Sequence, residues 1–65
     1  MANILSNYLF RITEEDEREG EMFFVQATDR EEAFILAELV FPDTGLTYEG
    51  RYTDFEAEWL GYDTY

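Results

Sequence analysis

The sequence predicts an α+β domain: a three-stranded antiparallel sheet with one helix packed on one face, in the order β-β-α-β, then a short C-terminal helix or strand. Two observations carry this. Two strand-like runs, 5–13 with a period of two and 21–28 apolar on both faces, flank an all-polar link that ends in glycine. A stretch of helical apolar spacing then lies between a capping signal at 28–32 and Pro42. A chain of 65 residues leaves room for one domain, 1–65.

In the first run Tyr8, Phe10 and Ile12 alternate with Leu9 and Arg11, the period of two expected of a strand with a buried face. Residues 14–20 are polar throughout and end at Gly20, as a solvated hairpin connection would. In the second run Phe23, Val25 and Ala27 share one face, and Met22, Phe24 and Gln26 the other. So short a link cannot form a parallel crossover, so the two strands pair antiparallel. Thr28 with Glu31, or Asp29 with Glu32, fits a capping box. Ala33, Leu36, Ala37 and Val40 follow at helical spacing, with Phe34 and Phe41 beside them. Pro42 restricts the residue before it and ends the helix.

Residues 46–52 read as a third strand, in which Gly50 marks a bulge or a close approach to the backbone. Residues 53–61 fit two descriptions. Their alternation suits a strand. Thr53 with Glu56 suits a capping box and Gly61 a helix C-cap, which favours a short helix with Phe55 and Trp59 on one face. Both faces of strand two are apolar, and one helix covers only one of them. The other needs the C-terminal segment, a second copy or a partner. Tyr62 and Tyr65 in the tail imply either packing on the sheet or docking on a partner.

Sixteen acidic residues face four arginines, with no lysine, histidine or cysteine, for a net charge of -12. Aromatics make up 18% of the chain, whereas disordered acidic chains are poor in them. The chain is therefore expected to fold, on packing alone, without disulfide or structural zinc. The N-terminus has no basic and long apolar segments of a secretory signal, and no apolar run is long enough to span a bilayer. Anionic membrane surfaces repel such a chain, so a soluble cytoplasmic protein is expected.

The same composition excludes chemistry. Without Cys, His or Lys there is no imidazole or amine to activate Ser6 or the threonines. Paired carboxylates can do acid-base work, but a domain this small offers no deep cleft to shift their pKa values, so no enzyme and no cofactor are expected. The run Glu14-Glu15-Asp16-Glu17 is dense in oxygen ligands but lacks the alternating ligands and central glycine of a calcium loop, so no specific metal site is expected. Arg11, Arg18, Arg30 and Arg51 all have acidic neighbours in the chain, so no basic stripe forms to neutralise phosphates, and direct nucleic-acid binding is disfavoured.

The reverse is physically natural. Duplex DNA carries a charge every ~1.7 Å, or about 18 over 30 Å, and a folded chain of this length is roughly that wide. In small size, acid excess, the acid run from Glu14 to Glu21, and Glu56 and Glu58 set among aromatics, the chain resembles small acidic proteins of phages and mobile elements that mimic DNA to inhibit restriction or CRISPR enzymes. The resemblance implies a basic, nucleic-acid-binding groove as partner and, for a phage-encoded chain, the host cytoplasm as its place of action. Glu14, Glu15, Asp16, Glu17, Glu19 and Glu21 would stand in for phosphates, and Glu56, Glu58 and Asp63 would extend the row. Trp59, Tyr62 and Tyr65 are candidate aromatic anchors, since Trp and Tyr dominate binding hot spots. The competing expectation is a small acidic adaptor, homodimeric or not, that binds a protein through an apolar sheet face bearing Met22 and Phe24.

Overall fold

The computed structural model describes residues 4–13 and 17–65. Its elements are β1 (Ser6–Ile12), β2 (Met22–Ala27), α1 (Arg30–Val40), β3 (Leu46–Tyr52), α2 (Asp54–Leu60) and β4 (Asp63–Thr64). The α+β class holds, but the sheet has four strands, in the order β3-β1-β2-β4. It is mixed rather than antiparallel: β1 pairs antiparallel with β2 and β3, whereas β4 runs parallel to β2. The parallel pairing follows from chain length, because α1, β3 and α2 intervene between β2 and β4 and supply the long connection a parallel pair requires. Two residues carry no periodicity, so β4 leaves no pattern in the sequence.

The hairpin closes where the Ile12 amide donates to the Glu21 carbonyl (2.9 Å) and the Gly20 amide to the Ile12 carbonyl (2.7 Å). At the start of α1 the Asp29–Glu32 pairing is the one used. The Asp29 Oδ1 accepts from the Glu32 amide at 2.8 Å, and the Glu32 Oε1 accepts from the Thr28 amide at 3.0 Å. Residues 53–61 resolve as a helix rather than a strand, because its two ends are chemically complete. Thr53 and Glu56 form a full capping box, and Gly61 takes a left-handed φ of 76° while its amide donates to the Ala57 carbonyl at 3.1 Å.

Each sheet face has its own core. On one, Tyr8, Phe10, Ile12, Phe23, Val25 and Ala27 pack beneath Ala33 and Ala37 of α1, with Phe34, Leu36 and Phe41 at the margin. The fully buried residues of α1 are alanines, which let the helix approach a sheet already filled by phenylalanines. Val40 turns out of this core and is exposed. On the other face Leu9 and Phe24 pack under Ala57, Leu60 and Tyr52. The C-terminal segment therefore covers the second face. Phe24 is fully buried (0%), so that face does not present it to a partner as an adaptor docking through Met22 and Phe24 would need.

The tail is part of the sheet. The Tyr65 amide donates to the Phe24 carbonyl (2.8 Å) and the Gln26 amide to the Tyr65 carbonyl (3.3 Å). The Tyr65 ring lies edge-on to Phe23 and Phe41, while Tyr62 packs against Phe24 on the opposite face. Gly50 does sit at a bulge. Leu9 faces Gly50 and Phe10 faces Tyr48, so Glu49 is the extra residue and reaches Arg11 at 3.3 Å. Gly50 has φ 146°, a backbone conformation that L side chains rarely adopt, and a Cβ there would meet the Tyr52 ring only at ordinary contact distance, 3.5 Å, so the bulge's backbone is what calls for glycine.

Candidate functional site

Short helices are marginal by themselves, so α2 depends on its ends and its attachment to the sheet. Its N-terminus is tied down by Asn7, which is 2% exposed. The Asn7 Nδ2 donates to the Asp54 Oδ1 at 2.7 Å and to the Tyr52 carbonyl at 3.4 Å, while the Gln26 Nε2 donates to the Asn7 Oδ1 at 3.3 Å. A buried amide that makes these bonds satisfies itself and positions α2 at once. The Thr53 Oγ1 accepts from the Glu56 amide at 3.2 Å. In return the Glu56 Oε1 accepts from the Thr53 amide (3.0 Å) and hydroxyl (3.1 Å).

With Ala57 facing the sheet, about 100° per residue places Phe55 and Trp59 about 160° away on either side, as an outward ridge. Glu58 and Glu56 then flank this ridge, each about 100° from Ala57 and on opposite sides. Exposure agrees: Phe55 is 77% and Trp59 79% exposed. Between α2 and β3 lies an open groove of about 320 Å³ lined by Tyr52, Phe55, Glu56, Trp59 and Leu60.

The sequence-predicted site residues fall in two places. Glu56, Glu58 and Trp59 meet on α2. Glu21, Asp63 and Tyr65 meet at the hairpin end, around a hollow that also contains Arg18 and Met22. Glu17 and Glu19 stand exposed on the adjoining turn. Glu14, Glu15 and Asp16 lie outside the described residues. Tyr62 and Tyr65 pack against the sheet, Tyr62 tilted on Phe24 and Tyr65 edge-on to Phe23, and both remain exposed, Tyr65 at 51%. Tyr52, Phe55 and Leu60 are groove residues that were not singled out as site residues. Once 53–61 is a helix with Ala57 inward, the wheel alone places Phe55 outward.

The electrostatics are one-sided. Of sixteen acidic residues, three lie at 14–16, and all thirteen others are exposed. Among the described residues only Glu49 and Glu21 pair with an arginine, Glu21 with Arg18 at 3.9 Å. Repulsion among unpaired carboxylates opposes the folded state, and salt screens it over about 10 Å at 0.1 M. The melting temperature is therefore expected to rise between about 10 mM and 0.5 M NaCl. A relief of about 1 kcal/mol corresponds to about 4–8 °C in a domain this small. A scanning-calorimetry Tm that stays level or falls with NaCl contradicts this.

Among the described residues no helix is long and apolar enough to cross a membrane. No protein-family model, curated protein or solved structure significantly matches the chain.

Proposed function

We propose that this domain is a non-catalytic interaction protein that docks on an electropositive partner in the cytoplasm, and that it acts as a DNA-mimicking inhibitor of a nucleic-acid-binding enzyme. The observation that carries the reading is the exposure of every described carboxylate, nearly all without an arginine partner. Acids used for folding would be buried, bridged or confined to caps. Among the described residues Asp29, Glu32 and Glu56 do capping work with their side chains, Asp54 binds Asn7, and Glu21 and Glu49 pair with arginines. The rest spread a negative field over a body with a radius of gyration of 11.5 Å. Such a field steers a basic surface into encounter, raises the association rate and makes binding salt-dependent.

The test is competition. The immobilised chain is offered cell lysate at about 50 mM salt, and captured proteins are challenged with duplex DNA or about 500 mM salt. The expected captives are nucleic-acid-binding proteins that either challenge releases and whose DNA affinity falls as free chain is added. Joint reversal of Glu17, Glu19 and Glu21 to lysine is expected to weaken capture about tenfold or more, the equivalent of about 1.4 kcal/mol. Captives that survive both challenges, or that bind the reversed variant equally well, overturn the reading.

A further inference from the structure

Resting on the reading above, in which the partner is basic, we propose that the groove between α2 and β3 is a receptor for an arginine side chain carried on a basic segment of that protein partner. Three aromatic residues, Tyr52, Phe55 and Trp59, line this one groove together with Glu56. Aromatic faces attract cations, Trp most strongly, and the attraction grows where the cation is partly desolvated. A guanidinium is planar and weakly hydrated. It stacks on a ring while its edge donates to a carboxylate, which a compact, strongly hydrated ammonium does less well.

The Glu56 carboxylate at the groove's edge is already ordered. The Glu56 Oε1 is held by the Thr53 amide and hydroxyl, whereas among the described residues the Oε2 accepts no hydrogen bond. The capping box thus fixes the acid before a ligand arrives, which lowers the ordering cost of binding. Tyr52 is likewise set by edge-on packing on Phe24 at 5.8 Å. The chain itself uses arginine over aromatic rings, Arg18 over Phe41 at 5.4 Å and Arg30 over Tyr48 at 5.8 Å. Among the described residues no arginine lies over Tyr52, Phe55 or Trp59. Charge complementarity selects the occupant. A net charge of -12 repels phosphates and a second copy of the chain alike, and draws a cationic segment.

Trp59 is the only tryptophan, so its emission reports on this groove. The intact chain is titrated with a glycine-spaced tetra-arginine peptide, its lysine counterpart and its neutral citrulline counterpart. Saturable change of Trp59 emission is expected with the arginine peptide, at least about threefold tighter than with the lysine peptide, and none with citrulline. Glu56→Gln keeps the capping box, since glutamine serves it too, and is expected to weaken the arginine peptide about tenfold with the circular dichroism unchanged. Trp59→Ala, read by calorimetry, is expected to lose as much or more.

Equal affinity for arginine and lysine peptides, unchanged by both substitutions, overturns the groove. If the Glu17, Glu19 and Glu21 reversal abolishes partner capture while Glu56→Gln and Trp59→Ala leave it intact, the groove falls and the basic-partner reading stands. If the arginine peptide binds as described but captured partners resist DNA and salt, the groove stands and the mimic reading falls. A dimer in light scattering that Trp59→Ala dissociates also overturns the proposal, by assigning the groove to a second copy.

Discussion

Phe10→Ala is expected to abolish the cooperative thermal transition of this domain. Phe10 is fully buried (0%) at the centre of β1, between β3 and β2. Its ring meets Phe34 edge-on at 5.0 Å, Phe23 at 5.8 Å and Tyr48 at 5.7 Å, so one side chain joins α1, β2 and β3. A buried Phe→Ala change costs about 3–5 kcal/mol through lost transfer energy and the cavity left behind. At about 0.05–0.15 kcal/mol per residue, a chain this short has about 3–10 kcal/mol in total. No disulfide stands in reserve. The far-ultraviolet circular dichroism of the variant is expected to change gradually with temperature, while Phe10→Leu, which keeps most of the volume, still melts cooperatively. A sharp Phe10→Ala transition within a few degrees of the parent contradicts this account of the core.

The second large effect is expected at Asn7. Asn7→Ala removes a 2.7 Å hydrogen bond to the Asp54 carboxylate and the acceptor for Gln26. Hydrogen bonds to charged groups contribute about 1.5–3 kcal/mol, so a loss of about 2 kcal/mol is expected in urea unfolding. The loss is local in character. Asp54 is the first residue of α2, whose remaining hold on the sheet is Ala57 and Leu60. Amide exchange across α2 should therefore accelerate more than exchange in β1 or β2. Asp54→Asn keeps an oxygen acceptor and is expected to retain most of the protection. Unchanged α2 protection in Asn7→Ala means that the helix is held by packing alone.

Much of this fold is legible in the sequence because its signals are local. The alternation around Phe10, the apolar run around Phe23, the Asp29–Glu32 and Thr53–Glu56 boxes, Pro42 and Gly61 each act within a few residues of themselves. Asn7 is the opposite case. Nothing near it in the chain marks it as buried, because its partner Asp54 is 47 residues away. The two-residue β4 is invisible for the same reason: its pairing with β2 is decided by where α2 delivers the chain.

The candidate site divides along the same line. Acid content and the exposed turn at Glu17 and Glu19 follow from composition and local polarity. The grouping of Glu21 with Asp63 and Tyr65 and of Tyr52 with Phe55, Glu56 and Trp59 needs strand order and helix rotation. By itself the sequence determined a folded acidic α+β chain with most of its helix and strand positions, since charge, periodicity and caps are properties of neighbouring residues. The tertiary structure alone decided that the second sheet face is closed by α2 and the tail. It also decided that Phe55 and Trp59 point outward and that Tyr52 completes a groove beside Glu56. Those outcomes rest on contacts between segments far apart in the chain, where burial of Ala57 and the Asn7–Asp54 bond set which side of a short helix meets water.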